Sequence, residues 1–219
     1  MGDPARKAEL FDQLARVGKA LGSGKRLELL DLLAQGERTV EALARVAGLG
    51  LTTTSAHLQT LKQAGLVAIR RDGTRIHYRL ASPDVADLYA RLRDVAAIHV
   101  ADVDVARRAY LGSDHAVEEI GRAELLRRAE AGDVVVLDVR PTEEYAAGHI
   151  PDAVSVPVDQ LADRISELPA GVEVVAYCRG RFCVFAHDAV RLLTAHGRAA
   201  RRLEDGMLEW RLAGLPVAA

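Results

Sequence analysis

The sequence predicts two domains: an α+β domain of short helices with a β-hairpin over residues 1–110, and an α/β domain with a parallel sheet flanked by helices over residues 117–219. Two patterns predict this division. The first half has mainly helical hydrophobic spacing, whereas in the second half buried strands alternate with helices, which is typical of a parallel sheet. The segment LGSDHA, residues 111–116, separates the two patterns and is predicted to be a linker.

Charge divides the chain in the same way. Residues 1–110 contain 17 Lys and Arg against 13 Asp and Glu, and residues 111–219 contain 12 against 18. A basic half and an acidic half indicate different partners. The N-terminus is charged and amphipathic, and no apolar run reaches the roughly 20 residues of a membrane span. Two cysteines are too few for a disulfide framework, and we expect a reducing, cytoplasmic setting.

The first domain is predicted to contain four helices, a hairpin and a long final helix. Thr39 precedes the third helix and has the side chain of an N-cap. Two alternating runs, VAIRR and RIHYR, are joined by Asp72-Gly73, a dipeptide typical of tight hairpins. The predicted helices cover residues 5–20, 24–35, 40–48, 51–65 and 84–110.

Three short helices followed by an arginine-bearing hairpin are typical of a winged helix-turn-helix. A helix fits the major groove, where small polar side chains reach base edges, and arginines suit phosphates or the minor groove. The alternative is a small helical domain with a solvated polar face. The predicted DNA-binding residues are Thr52, Thr53, Thr54, Ser55, His57, Gln59, Thr60 and Lys62 on the fourth helix, and Arg70, Arg71 and Arg75 on the hairpin.

The segments RLELLDLLAQGERTVEALARVAGL, TTTSAHLQTLKQAGLV and RRDGTRIHYRLA resemble the ArsR/SmtB family of bacterial repressors, over roughly residues 8–110. The resemblance implies a homodimer, formed by the first and last helices, on a near-palindromic operator. Metal-sensing members often carry a cysteine pair at the start of the third helix, where this sequence has ERTVEALA. Another family site uses Asp and His on the last helix. The residues available for such a site here are His99, Asp102, Asp104 and His115. This site remains an open alternative, and no metal ligand is assigned.

The second domain alternates strands and helices. DVVVLDV and EVVAYC are continuous apolar runs of the kind buried in a parallel sheet. Between and after them, helical spacing recurs, and the last helix contains the single tryptophan, Trp210, predicted to pack on the sheet. The predicted strands cover residues 133–139, 153–157, 173–178 and 199–204, and the helices cover residues 142–148, 158–168, 183–197 and 207–214.

Both cysteines lie in one loop, CRGRFC, between a buried strand and a helix. Cys178 ends the strand, at the edge where open α/β sheets bind ligands. The N-terminus of the following helix and the charges of Arg179 and Arg181 are expected to depress the Cys178 pKa and make this thiol a nucleophile. Cys183 lies five residues further on, at the start of the helix.

The segments at residues 137–157, LDVRPTEEYAAGHIPDAVSVP, and 204–217, EDGMLEWRLAGLPV, resemble the first and closing signatures of rhodanese domains. The cysteine loop lies between them, where that family keeps its catalytic cysteine. The resemblance implies that Cys178 takes the outer sulfur of thiosulfate, a polysulfide or a small persulfide. Val184 stands where related phosphatases and arsenate reductases need an arginine, which favours sulfur over an oxyanion. Cys183 is interpreted as a resolving thiol or as a packed small hydrophobe.

Together these features predict a homodimeric DNA-binding repressor whose rhodanese domain forms a cysteine persulfide and senses or processes reactive sulfur. One alternative is a sulfurtransferase with an autoregulatory DNA-binding domain. Another is a metal- or arsenic-responsive repressor, which the missing cysteine pair disfavours. The expected partners are operator DNA, an inorganic or low-molecular-weight sulfur donor and a second copy of the chain. No cofactor and no membrane partner are expected.

Overall fold

The computed structural model describes residues 3–112 and 117–219. The chain forms two compact units that divide between Arg91 and Leu92. This division lies N-terminal to the predicted linker, residues 111–116, of which 113–116 lie outside the described residues. No helix in the described ranges is both long and apolar enough to cross a membrane.

The first unit packs helices around a leucine-rich core and adds a small sheet. Leu29, Leu43 and Leu58, from three successive helices, are fully buried there. Asp3 accepts a hydrogen bond from the Ala5 amide and caps the first helix. The elements are α1 (Pro4–Leu21), α2 (Gly24–Gln35), β1 (Arg38–Thr39), α3 (Val40–Val46), α4 (Leu51–Gln63), β2 (Val67–Asp72) and β3 (Arg75–Leu80), and α5 (Pro83–His99) begins here and continues into the second unit.

The hairpin forms as predicted, but its turn is displaced by one residue. Asp72 pairs with Arg75, so the two-residue turn is Gly73-Thr74 rather than Asp72-Gly73. Gly73 occupies the turn with φ +57°, a conformation that glycine adopts without strain. The sheet order is β1-β3-β2, fully antiparallel. Strand β1 is two residues long, too short to produce an alternating pattern in the sequence.

The prediction of one helix over residues 84–110 is wrong. Helix α5 ends at His99, Val100 has extended backbone angles (φ −112°, ψ 101°), and α6 runs from Ala101 to Leu111. The Val103 amide donates to the Val100 carbonyl and starts the new helix. No glycine or proline marks this break, so the usual sequence signals of a helix end are absent.

The second unit contains a five-stranded parallel sheet with the order β4-β8-β7-β5-β6. A two-residue strand and a highly charged helix at its start were not predicted. That helix buries mainly Leu125, so its apolar pattern is weak. The elements after α6 are β4 (Glu119–Ile120), α7 (Arg122–Glu130), β5 (Val134–Asp138), α8 (Thr142–Ala146), β6 (Val154–Ser155), α9 (Leu161–Arg164), a 3-10 turn (Ile165–Glu167), β7 (Glu173–Tyr177), α10 (Val184–Ala195), β8 (Ala200–Leu203) and α11 (Met207–Leu212).

Helices cover both faces of this sheet, so the inner strands β5 and β7 are buried on both sides. Along β7, Val174 contributes to the core under α10, and Val175 contributes to the core under α7 and α11. The latter core includes Trp210, whose indole N–H donates to the Pro216 carbonyl at 2.7 Å. The predicted packing of Trp210 on the sheet is therefore confirmed. Strand β7 ends where Cys178 begins the loop, at the carboxyl edge of the sheet.

Candidate functional site

The cysteine loop connects β7 to α10 and contains both thiols of the chain. Cys178 follows the last residue of β7, and Cys183 occupies the N-cap position of α10. Both are free cysteines, with 1% of Cys178 and 9% of Cys183 exposed. Both side chains belong to the core under α10. The loop thus places two thiols in one dry environment at the carboxyl edge of the sheet.

The Cys178 thiol is buried against two backbone carbonyl groups. Its Sγ lies 3.4 Å from the Cys183 carbonyl oxygen and 3.9 Å from that of Gly180, both acceptors for an S–H donor. Burial raises the pKa of Cys178 well above its ordinary value, and the hydrogen bond to Cys183 and the charge of that neighbour raise it further. The predicted depression of the Cys178 pKa is therefore wrong. The Ala186 amide and the charge of Arg202 oppose the increase.

Cys183 is the more acidic thiol of the pair. The hydrogen bond from the Cys178 thiol lowers the pKa of Cys183, and this outweighs the effect of burial. The amides of Arg179 and Phe185 and the charge of Arg179 lower this pKa further. In a coupled pair the first proton is lost from the site with better stabilisation of its charge. Cys183 is therefore the first of the two thiols to lose its proton as the pH rises.

The two loop arginines are paired with carboxylates. Arg179 forms a two-pronged ion pair with the buried Glu144, with nitrogen–oxygen distances of 2.6 and 2.9 Å, and its guanidinium lies 5.0 Å from the Phe185 ring centre. Arg181 pairs with Asp205 at 2.7 Å. Arg179 was predicted to act electrostatically on Cys178, but it acts on Cys183. The carboxylates that orient both arginines were missed because they lie far away in sequence.

A glycine contact joins the loop to the start of α11. A Cβ atom on Gly206 would lie 2.3 Å from the Gly180 nitrogen and 2.6 Å from the Cys178 carbonyl oxygen, so only glycine fits. In addition, the Met207 amide donates to the Cys178 carbonyl at 2.9 Å. The loop backbone is therefore fixed against α11.

A buried polar network stabilises the strand ends beneath the loop. Asp138 accepts hydrogen bonds from Arg140 and from the Tyr177 hydroxyl, each at 2.6 Å. The Tyr177 oxygen in turn accepts from the Ile150 amide at 3.1 Å. Burial and the Asp138 charge raise the pKa of Tyr177, so its hydroxyl stays protonated and donates. This network fixes β7 against β5, and hence the origin of the loop.

A cavity of about 350 Å³ lies beside the cysteine loop. Its walls include Thr142 and Glu143 at the start of α8, Gln160 after β6, and the Phe185 side chain. The Phe185 amide is one of the groups that lower the pKa of Cys183. The cavity is therefore lined by a residue that lies two positions after Cys183.

The predicted DNA-binding residues lie mostly on the surface of the first unit. On α4, Ser55 and His57 are half-buried, and the other outward residues are exposed. Thr54 differs from its predicted role in DNA binding, because its side chain is fully buried and its hydroxyl donates to the Gly50 carbonyl at 3.0 Å. The exposed predicted residues are Thr52, Thr53, Gln59, Thr60 and Lys62 on α4, and Arg70, Arg71 and Arg75 on the hairpin.

Two of these residues contact protein groups. Gln59 donates to the Tyr78 hydroxyl at 3.3 Å, which links α4 to β3. Arg70 pairs with Glu37 at 2.6 Å, and this interaction raises the pKa of Arg70. Arg70 is therefore oriented by Glu37 at the base of the hairpin, whereas Arg71 and Arg75 lie closer to the turn.

The alternative metal site on the last helix of the first domain involves residues that the structure describes only in part. His115 lies outside the described residues. Asp104 pairs with Arg107 at 3.0 Å and with Arg108 at 2.7 Å. Within residues 3–112 and 117–219, no three His, Cys, Asp or Glu side chains are grouped to hold a metal ion.

Two family models match the chain. The model described as bacterial regulatory protein, arsR family, matches residues 23–68, and the model described as rhodanese-like domain matches residues 122–213. The first covers α2 to the start of β2, and the second covers α7 to the end of α11, including the cysteine loop.

Relatives match the whole chain and each half. The chain is 60% identical over 216 residues, 99% of its length and 95% of the relative's, to the HTH-type transcriptional regulator Rv0324 of Mycobacterium tuberculosis. It is 36% identical over 104 residues, 47% of its length and 96% of the relative's, to a sulfurtransferase of Allochromatium vinosum. Among solved structures, the homodimeric winged helix-turn-helix DNA-binding domain of a possible ArsR-family regulator of Mycobacterium bovis is 59% identical. That match covers 46% of this chain and 93% of the other, with a TM-score of 0.43.

Proposed function

The chain belongs to the ArsR family of DNA-binding transcriptional regulators and carries a C-terminal rhodanese-like domain, and from this we propose that it is a homodimeric repressor controlled by reactive sulfur. One observation carries the proposal: the only two cysteines of the sequence lie buried together in the rhodanese loop, with Cys178 Sγ 3.4 Å from the Cys183 carbonyl oxygen. Such a pair is prepared for attack on a sulfur donor. A redox or sulfur signal that acts on cysteine must enter the protein here.

DNA recognition in this proposal uses the exposed polar face of α4 and the hairpin arginines. Thr52, Thr53 and Lys62 are exposed on α4, which suits contacts with base edges and phosphates in the major groove. Arg71 and Arg75 lie on either side of the hairpin turn and would neutralise phosphates. Thr54 has no part in this surface.

Exposed apolar side chains support the homodimer. On α1, Leu10, Phe11 and Leu14 leave more than half of their surface exposed. On α5 and α6, Ile98 and Val105 are exposed to a similar or greater extent. Each of these helices thus leaves large apolar side chains exposed, and exposed apolar patches mark interaction surfaces. A second copy of the chain is the occupant that we propose, because two recognition helices are needed for a two-fold operator.

Persulfide formation in this proposal begins after Cys183, whose pKa is lowered, has lost its proton. The Cys183 thiolate accepts the Cys178 proton, and the Cys178 sulfur attacks the sulfane sulfur of the donor. With hydrodisulfide, the simplest polysulfide, the donor S–S bond breaks and one sulfide leaves as HS⁻. Cys178 then carries the new S–S bond, and Cys183 carries the proton. This order keeps Cys178 as the persulfide carrier and gives Cys183 the role of base.

Cys183 completes the reaction as the resolving thiol. Its sulfur attacks Sγ of the Cys178 persulfide, its proton passes to the departing sulfur, and a second HS⁻ leaves. The net change joins the two cysteines in a disulfide and reduces one sulfane sulfur to sulfide. The two cysteines supply both electrons, so no further reductant or oxidant is required.

Donor access is proposed through the cavity beside Phe185. Its volume of about 350 Å³ accommodates a polysulfide or a small organic persulfide. Its polar wall contains the carboxylates of Glu143 and Asp159, which disfavour the thiosulfate dianion more than a singly charged hydrodisulfide. We therefore expect polysulfides or small persulfides to react more readily than thiosulfate.

Operator binding with and without polysulfide tests the function. We expect polysulfide to lower DNA affinity by about 5- to 150-fold, the range of useful allosteric coupling, and reductant to restore it. Mass spectrometry of the same samples reports the state of Cys178 and Cys183. A modified loop with unchanged operator affinity would overturn sulfur control of DNA binding.

The second candidate function is a working sulfurtransferase with an autoregulatory DNA-binding domain. The sulfurtransferase of Allochromatium vinosum, 36% identical across the rhodanese half, favours it. Turnover separates the candidates: an enzyme passes sulfur repeatedly to an added thiol, whereas a sensor stops at the loop disulfide. Steady-state sulfide release with a polysulfide and excess dithiol measures the difference.

A further inference from the structure

Arg93 is a buried arginine in contact with the cysteine loop. It lies in the last part of α5, which belongs to the second unit, and only 8% of the residue is exposed. Its Nη1 atom pairs with Glu209 Oε1 at 2.7 Å, and its guanidinium lies 5.3 Å from the Phe182 ring centre. One arginine of α5 therefore contacts both α11 and the middle of the loop.

Burial of this pair is costly unless both charges are well satisfied. Desolvation opposes burial of the guanidinium and the carboxylate, and the loss of one partner leaves the other charge uncompensated. Arg93 also pairs with Asp94, a partly exposed neighbour on the same helix, at 3.2 Å. Glu209 and Phe182 are therefore the partners that tie Arg93 to α11 and the loop. A displacement of either partner weakens the hold on this part of α5.

Glu209 and the loop are joined so that they move together. Glu209 Oε2 accepts a hydrogen bond from the Gly206 amide at 3.0 Å. Gly206 in turn packs against Gly180 with no space for a Cβ atom. A shift of the Cys178–Cys183 segment is thus transmitted to the groups that hold Arg93.

We propose that Arg93 reports the sulfur state of the loop to helix α5. In the dithiol state, Phe182 and Glu209 hold the guanidinium. When the disulfide between Cys178 and Cys183 forms, residues 179–182 are closed into a smaller ring, and Phe182 and Gly180 are drawn away from Arg93. Helix α5 begins at Pro83 in the first unit, so a change at Arg93 reaches that unit along one helix. This regulatory role rests on the proposed sulfur control of the repressor.

Hydrogen exchange in the full chain tests the release of Arg93. We expect closure of the loop to accelerate amide exchange in peptides from residues 92–99 by about 5-fold or more, the lower end of useful coupling. Polysulfide closes the loop by the chemistry proposed above. Diamide closes it without a sulfur donor, because its N=N bond takes two electrons and two protons from the thiols. Unchanged exchange in a loop that mass spectrometry shows to be closed overturns the proposal.

Variants of the ion pair provide the second arm. In the double variant Arg93→Met/Glu209→Gln we expect fast exchange before oxidation and no further acceleration after it. The single variant Arg93→Lys keeps the positive charge and should retain part of the acceleration on oxidation. Arg91→Met is the matched control, because Arg91 is an exposed arginine on the same helix that pairs with Asp87. An oxidation response of normal size in the folded double variant overturns the role of Arg93. If the double variant fails to fold, the exchange result on the unmodified sequence decides.

The two proposals fail in different ways. If diamide changes exchange at residues 92–99 but polysulfide leaves the loop unmodified, sulfur sensing fails and the Arg93 contact stands. If exchange changes and operator affinity does not, control of DNA binding fails and the local release of Arg93 stands. If operator affinity responds to polysulfide while exchange at residues 92–99 is unchanged, the signal bypasses Arg93.

Discussion

The Cys178 thiol donates a hydrogen bond to the Cys183 carbonyl oxygen at 3.4 Å, so the two cysteines of this chain are in direct contact. Burial and the interaction with the Cys183 side chain raise the pKa of Cys178, while the interaction with the Cys178 side chain and the neighbouring amides lower that of Cys183. Cys183 therefore loses its proton at a lower pH than Cys178. The roles of the two thiols and of the surfaces around them can be tested separately.

The first prediction concerns the carrier of the sulfur. Cys178→Ser should lose sulfur uptake from polysulfide, because an alcohol does not form a persulfide. Cys183→Ser should retain a Cys178 persulfide and fail to form the disulfide. Intact-mass and peptide mass spectrometry after polysulfide treatment distinguish these products. Sulfur retained in Cys178→Ser and lost in Cys183→Ser would show that the acidic Cys183 is the nucleophile.

The second prediction concerns pH. The lowered pKa of Cys183 means that its thiolate is present at a lower pH than in an ordinary cysteine and is lost only when the pH falls through that lowered value. Alkylation by iodoacetamide should therefore label Cys183 first as pH rises, with Cys178 labelled only at higher pH. Peptide mass spectrometry of a pH series gives both curves. In Cys183→Ser the remaining thiol should react only at the higher pH, because burial still raises the pKa of Cys178.

The sequence predicted the position of this loop but not its electrostatics. The apolar run before Cys178 and the helical spacing after Cys183 were sufficient to place both thiols between a strand and a helix. The pKa order depends on burial and on the direction of one S–H group, which no local pattern reveals. Glu209 lies far from its partner Arg93 in the sequence, so this ion pair could not be predicted without the fold. The break at Val100 was missed for a different reason, since a valine carries no helix-stop signal.

The third prediction concerns the hairpin. The double variant Arg71→Ala/Arg75→Ala should bind operator DNA more weakly, because each substitution removes one phosphate contact. The slope of log affinity against log salt should become less steep by about 1.8 in total, or 0.9 per contact. Fluorescence anisotropy over a salt series measures both effects. Arg127→Ala removes an exposed arginine from α7 and serves as the control. An unchanged slope in the double variant would exclude these arginines from phosphate binding.

The fourth prediction separates two neighbouring threonines on α4. Thr54→Val removes the buried hydroxyl that donates to the Gly50 carbonyl, and it should destabilise the first unit by about 1 kcal/mol with little change in DNA affinity. Thr53→Ala alters an exposed side chain and should weaken DNA binding with little change in stability. Urea unfolding and anisotropy give the two quantities for each variant. A Thr54→Val protein that is equally stable but binds DNA poorly would return Thr54 to the DNA-binding surface.

The fifth prediction concerns the contact between the loop and α11. Gly206→Ala places a Cβ atom 2.3 Å from the Gly180 nitrogen, and the atoms that must give way are backbone. We expect a loss of about 1–3 kcal/mol in unfolding free energy, as for other overpacked sites, because the loop and α11 must separate. The same separation should expose Cys178, so iodoacetamide should label it faster than in the unmodified protein. Gly197→Ala is the control, because a Cβ atom at Gly197 has no neighbouring atom within 4 Å. Its φ of +72° means that this substitution strains the backbone at residue 197 without a contact to the loop. If Gly206→Ala leaves the labelling of Cys178 unchanged while Gly197→Ala has the same effect on stability, the Gly206 contact does not hold the loop in place.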